Sequence, residues 1–306
     1  MRVEIKTFKI FLRYSIFLLI LFLKLFLRFY SLLFGVMKRS LSTQVFLKLR
    51  ISEDVFKVIS ELGFRRCELW AMPNHLDYKE KSVIKNLKAW SEKYSVSCET
   101  AHLPLWAQDK SGNTFKVSLG SKELSRKSKD EFLFCIENLY SIGVGTFILH
   151  VGENLDTFYE NFYDVYKNTD CNFAIENDPM GFPLASDVVQ IVDFLRKELR
   201  DGKSRIGACL DIGHANIWEK PPENVIYKLS DRIIATHISD NDGLADTHLI
   251  PKKGNIEWSK VIHGFFEIKY SGNFTYEIAP FSENIDEIKS NIFELINLSD
   301  EFGLSL

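Results

Sequence analysis

From residue 41 onward the sequence alternates, eight times over, between a short run of strand-forming residues and a longer stretch of helical periodicity. The strand-type runs fall at residues 41–47, 66–70, 96–102, 144–150, 172–176, 206–211, 233–239 and 273–278. Amphipathic stretches lie between them, among others at 52–62, 80–94, 122–142, 185–199 and 258–266. Two of these stop at a glycine, Gly63 and Gly143, just before the next strand. Glycine closes a last helical turn in the left-handed region without a Cβ clash. Strands linked through helices by right-handed crossovers must run parallel and be covered by those helices. Eight such units close into a barrel more readily than they spread as an open sheet. The expected architecture is α/β, a single-domain (β/α)8 barrel over residues 37–306, with 46% hydrophobic residues to fill its core.

Residues 1–36 differ from everything after them. From Phe8 to Val36 they are mostly Phe, Leu, Ile and Tyr, broken by Lys9, Arg13, Lys24 and Arg28. At a helical ~100° per residue these cations, with Lys6, fall in one sector, which describes an apolar helix with a basic stripe. Such an N-terminal helical extension suits membrane contact, at the interface or as a marginal span. A cleaved signal peptide fits poorly, because the apolar part is long, broken by charge and lacks a small-x-small end. The competing reading is that translation starts at Met37 and the upstream codons are a gene-model artefact.

Charge is nearly balanced, with 38 Lys+Arg against 41 Asp+Glu and a formal net charge of −3. That supplies no general attraction for nucleic acid or acidic lipid. A short basic stretch at Lys116, Lys122, Arg126, Lys127 and Lys129 also carries Glu123 and reads as a solvated helix face. The five cysteines are widely spaced, form no Cys-x-x-Cys pair, and sit mostly in apolar runs. They read as buried, reduced thiols of a cytoplasmic protein, with or without attachment to a membrane through the N-terminus.

Chemistry-bearing residues recur where strands run out. His102, His150, Glu176, Asp211, His237 and Glu277 lie at or near the ends of six of the eight runs. His214 follows Asp211 by three residues, and Asp246 and His248 lie in the stretch after His237. In a (β/α)8 barrel these ends converge on one mouth, the catalytic face of such enzymes. One strand-end histidine or glutamate is ordinarily a satisfied polar residue. A ring of carboxylates and imidazoles together would repel itself unless cations occupied it. Nothing in the chain suggests a nucleotide cofactor.

The stretches His102-Leu103-Pro104, Leu149-His150-Val151-Gly152, Ala174-Ile175-Glu176-Asn177 and Leu210-Asp211-Ile212-Gly213-His214 resemble a known group. So do His237-Ile238-Ser239-Asp240-Asn241-Asp242-Gly243, Asp246-Thr247-His248 and Tyr276-Glu277. Together they look like the xylose-isomerase-like TIM-barrel superfamily, which includes sugar isomerases, ketose epimerases, inosose dehydratases and endonuclease IV. The resemblance covers the chain from about residue 41 to the end and leaves the apolar N-terminus outside.

Two chemistries compete within it. Resemblance to the ketose epimerases implies one divalent ion (Mn, Mg or Zn) held by Glu176, Asp211, His237 and Glu277. Glu176 and Glu277 would then exchange a proton with a small polyhydroxylated carbonyl substrate, a sugar or sugar phosphate, through an enediolate. His214 would bind a substrate oxygen. Resemblance to endonuclease IV implies three zinc ions, adding His102, His150, His214, Asp246 and His248 to the ligand set, for attack on abasic DNA. The stretch from His237 to Gly243, and Gly254-Asn255-Ile256-Glu257-Trp258, favour the isomerase/epimerase branch. A non-catalytic metal-binding barrel is the third reading, and a homo-oligomer is compatible with all three. Glu68 looks like the second-strand glutamate of the group, a substrate contact or an ion-pair partner. Trp70, Trp106 and Trp218 could stack on a sugar or pack the rim. His75 and His263 fit no motif and read as surface residues, and Gly152 and Gly213 as turns close to the site.

Overall fold

A computed structural model describes residues 36–305 apart from Lys110, Leu124 and residues 179–181. Eight parallel strands form the closed barrel: β1 (Lys38–Ser42), β2 (Arg66–Trp70), β3 (Ser97–His102), β6 (Thr146–Leu149), β7 (Asn172–Glu176), β8 (Ile206–Asp211), β9 (Ile233–Ile238) and β10 (Asn273–Tyr276). A hairpin of β4 (Trp106–Gln108) and β5 (Thr114–Lys116) is inserted after β3. The strand order around the barrel follows the chain, and β1 closes it against β10.

The alternation of side chains along each strand explains why the mouth is where it is. Successive residues of a strand point to opposite faces. Phe147 and Leu149, Phe173 and Ile175, Leu210 and Ile238 join the large apolar cluster between barrel and helices. Ile148, Ala174, Cys209 and Ala235 form a separate buried cluster, the barrel's interior filling. Two residues further along the same faces come His150, Glu176, Asp211 and His237. One isoleucine and three small residues thus fill this part of the interior, and the layer above them carries the polar groups.

Three readings of the sequence need correction. The first strand is Lys38–Ser42, and residues 43–46 turn into a short 3-10 helix capped by Ser42, whose Oγ accepts from the amide of Gln44 at 3.3 Å. The alternation at residues 41–47 imitated a strand because both conformations bury Val45 and Phe46. His75 is buried, its Nδ1 2.7 Å from the carbonyl oxygen of Leu49, and burial pushes it down to about 4. His263 is exposed as expected, at 70%. The fourth strand and the last end at Leu149 and Tyr276, so His150 and Glu277 stand one residue past them.

All five cysteines are free and buried. Most of the N-terminal extension, residues 1–35, lies outside the described residues. Among the described residues no helix is long and apolar enough to cross a membrane.

Candidate metal centre

Strand register sets the polar layer at the mouth. Glu176 pairs with Cys209, and Asp211 with His237, across neighbouring strands. Asp211 caps the short helix Ile212–Trp218, its Oδ1 accepting from the amide of His214 at 2.8 Å. Asn177 ties the end of β7 to the end of β8 by donating to Asp211 O at 2.9 Å and accepting from Asp211 N at 2.8 Å. Gly213 is required here: a Cβ would stand 2.6 Å from Ser239 Oγ and 3.1 Å from Asp211 Oδ1. Gly152, at φ +85°, would place a Cβ 2.1 Å from Ser118 Oγ.

The nine residues come together as three groups, two of which share Glu176. Glu176, Asp211, His237 and Glu277 bring ligand atoms within 4.8 Å of one another, as do His102, His150 and Glu176, and His214, Asp246 and His248. His237 Nδ1 lies 2.7 Å from Glu176 Oε1, 3.4 Å from Glu277 Oε2 and 3.9 Å from Asp211 Oδ2. On the other side, Glu176 Oε2 lies 3.3 Å from His102 Nε2 and 3.1 Å from His150 Nε2. Asp246 Oδ2 stands 3.3 Å from His214 Nε2 and 2.9 Å from His248 Nε2. Trp70, whose Nε1 donates to Glu277 Oε1 at 2.8 Å, lines the same cavity of about 90 Å³ with His102, His150, Glu176, His214, Asp246, His248 and Glu277. A larger groove of about 580 Å³ beside Lys252, Trp258 and Phe302 is lined by none of the nine.

Every imidazole in the mouth has an acceptor behind it. His102 Nδ1 lies 2.8 Å from Leu103 O, His150 Nδ1 2.6 Å from Asp178 Oδ2, His214 Nδ1 2.7 Å from Asn177 O and His248 Nδ1 3.1 Å from Glu277 O. His237 is turned the other way, with Nε2 3.0 Å from Glu68 Oε1. An N–H given to the acceptor behind leaves the lone pair of the other nitrogen pointing inward, the tautomer a metal-ligating histidine needs. Two carboxylate oxygens, Asp211 Oδ2 and Asp246 Oδ1, are buried and accept no hydrogen bond, and Glu176 Oε2 has only imidazole nitrogens beside it. Oxygens in that state are costly unless a cation takes them. The donor set therefore fits divalent cations.

Without a cation the charges settle on protons. Burial works against the charged imidazole at His150, His214 and His248, yet neighbouring carboxylates win. Asp178 and Glu176 push His150 up to about 10, Asp211 and Asp246 push His214 up to about 10, and Asp246 and Glu277 push His248 up to about 9. Burial pushes Asp211 up to about 6. Burial also opposes ionisation of Glu176, but His237, His102 and His150 hold it well below the ordinary carboxylate range. Histidines raised in this way are protonated at pH 7, so a cation entering their groups must expel protons. Cation uptake at pH 7 is expected to release protons and to weaken as pH falls. Calorimetry in two buffers of different ionisation enthalpy measures the release, and uptake with none would contradict this arrangement.

The family described as xylose isomerase-like TIM barrel matches residues 56–294. The chain belongs to that family. It is 25% identical to a fructoselysine 3-epimerase of Shigella flexneri over 253 residues, covering 76% of this chain and 87% of the relative. Among solved structures, a D-tagatose 3-epimerase-like protein superposes with a TM-score of 0.67 at 24% identity, covering 87% of this chain and 99% of the other. A D-psicose 3-epimerase with D-tagatose, from Clostridium cellulolyticum H10, gives 0.67 at 16% identity, covering 88% and 100%. At those identities the two structures establish the fold.

Family membership leaves some placements unexplained, and the structure supplies them. Glu68 is fully buried under His237 and does not line the mouth, so a substrate contact gives way to a contact with a neighbouring side chain. Trp106, on the inserted hairpin, is 47% exposed, and the cavity is lined by its neighbour Leu105 instead. Trp218 is 52% exposed at the end of its helix. Asn177 and Asp178 were missed as site residues, although both follow Glu176 directly. The basic stretch is not one helix face: Lys116 lies on the inserted hairpin and pairs with Glu153 at 2.9 Å, while Lys129, on the helix Ser125–Tyr140, is partly buried and pairs with Asp164 at 2.8 Å.

Proposed function

We propose that this protein is a sugar epimerase or isomerase that depends on a divalent cation and moves a proton through an enediolate of its substrate. The observation that carries the reading is the convergence of Glu176, Asp211, His237 and Glu277 within 4.8 Å at the mouth. The fructoselysine 3-epimerase relative supports it from the side of sequence. Mn, Mg or Zn held by these four residues would supply Lewis acidity to a ketose carbonyl and so acidify the C–H beside it. The chain's own residues do the rest. Trp70 fixes Glu277 through Oε1, which leaves Oε2 directed at the group. Glu277 and Glu176 come from strand ends on different sides of the mouth, so one can remove the proton and the other return it from the opposite face. His214 presents Nε2 to the cavity and can bind a substrate oxygen.

A second reading rests on the other two groups, His102 with His150 and Glu176, and His214 with Asp246 and His248. If both also hold zinc, the site has the donors of a three-metal phosphodiesterase acting on abasic DNA. Metal analysis of purified protein, with two assays, separates the readings. The expected result is one equivalent of cation per chain and cation-dependent exchange of solvent deuterium into fructoselysine, D-tagatose or D-psicose. Near three equivalents of zinc with cleavage of abasic DNA would establish the phosphodiesterase. Cation binding with neither activity would leave a non-catalytic barrel.

A further inference from the structure

The interior layer beneath the mouth is uncharged at Ile148, Ala174, Cys209 and Ala235. Glu68 enters the same interior from β2, one alternation below Trp70, and is fully buried. A carboxylate there is costly unless each oxygen has a donor. Both have one: Oε2 accepts from Thr100 Oγ1 at 2.8 Å, and Oε1 lies 3.0 Å from His237 Nε2. The β2–β3 register shifts between Cys67 and Glu68, so that Glu68 faces Thr100. His237 differs from the mouth's other four histidines in presenting Nδ1 inward, with its far nitrogen held by an interior carboxylate.

We infer that Glu68 is a positioning residue for His237. It accepts the Nε2–H, fixes the tautomer that points the Nδ1 lone pair at Glu176, Asp211 and Glu277, and raises the basicity of that nitrogen. Thr100 in turn fixes the rotamer of Glu68. The inference rests on the proposed cation group and goes beyond it, because Glu68 touches neither the cavity nor the other three members of the group.

The test uses the full chain stripped by chelator and titrated with Co²⁺, read by visible absorption, for wild type, Glu68→Leu, Glu68→Gln, Thr100→Val and His237→Ala. Outer partners of this kind are commonly worth about 10–100-fold in metal affinity. Glu68→Leu is expected to weaken Co²⁺ binding by about that factor, and Glu68→Gln, which keeps an acceptor oxygen, by clearly less. Thr100→Val should fall between wild type and Glu68→Leu, and it serves as the informative variant if Glu68→Leu does not fold. A readout specific to positioning is the imidazole N–H signal of His237 in ¹⁵N NMR of the zinc-loaded protein. It should persist as the Nε2–H form in Glu68→Gln and be lost to exchange in Glu68→Leu. Wild-type affinity and an unchanged His237 signal in Glu68→Leu or Thr100→Val, with affinity reduced in His237→Ala, would overturn the inference alone. Wild-type affinity in His237→Ala would overturn the cation group itself, and this inference with it.

Discussion

Glu176→Gln and Glu277→Gln are each expected to lower the rate of sugar epimerisation by about 10²–10⁴, the range for removing a general acid or base. Gln keeps the volume and one oxygen, so the substitution removes the proton acceptor while sparing most of the packing. The two variants should differ in a second respect. Glu277 reaches the group with Oε2 and gives Oε1 to Trp70, so Gln there can orient its oxygen inward only by presenting an amide N–H to the Trp70 donor. Glu176 serves two groups, facing His237 with one oxygen and His102 and His150 with the other, so Gln there leaves one of the two without its carboxylate oxygen. Glu176→Gln should therefore also lose cation affinity, and Glu277→Gln less of it. Steady-state epimerisation together with Co²⁺ titration of both variants measures this. Activity within a few-fold of wild type in either would remove the acid/base pair from the mechanism.

Some of this was legible in the residues. Eightfold alternation and the recurrence of His, Asp and Glu at strand ends follow from local chemistry, because period and end position are written in the chain. The convergence of His102 with Glu176, 74 positions apart, is legible only through the barrel. The layer behind the candidate cation group was hidden for a different reason. Glu68 was visible as a glutamate on a strand, but whether it points into the mouth or under it depends on register, and the register shift beside Cys67 leaves no local mark. Asn177 and Asp178 act through partners more than 25 residues away, Asp211 at one end and His150 at the other. The inserted hairpin was missed because two three-residue strands are too short to show a period.

Asp240→Ala is expected to destabilise the protein by about 3–5 kcal/mol, because it strips several buried donors of their acceptor at once. Asp240 sits just past β9, fully buried, where the chain leaves for the loop that carries Asp246 and His248. Its Oδ2 accepts from Lys252 N at 2.8 Å and Trp258 Nε1 at 2.8 Å, and its Oδ1 from Asn241 N at 2.9 Å and Ile256 N at 3.3 Å. One carboxylate thus latches both ends of the loop to the barrel. Gly254 lets the returning chain pass, since a Cβ there would stand 2.2 Å from both Asn241 O and Asp240 Oδ1. This explains why Asp240, Gly254 and Trp258 belong to one sequence pattern with Asp246 and His248: the first three hold the loop that presents the other two. Removing the carboxylate leaves several buried donors unpaired at about 1–3 kcal/mol each, partly relieved as the loop loosens. Asp240→Asn should be nearly as damaging, because its amide must turn N–H toward two donors on one side. Trp258→Phe deletes a single donor and should cost less. Denaturant unfolding of the chelated protein gives the stabilities, and Trp258 emission in Asp240→Ala reports the loop directly. Unfolding free energy within about 0.5 kcal/mol of wild type, the range of neutral surface changes, would show that the loop is held by other contacts.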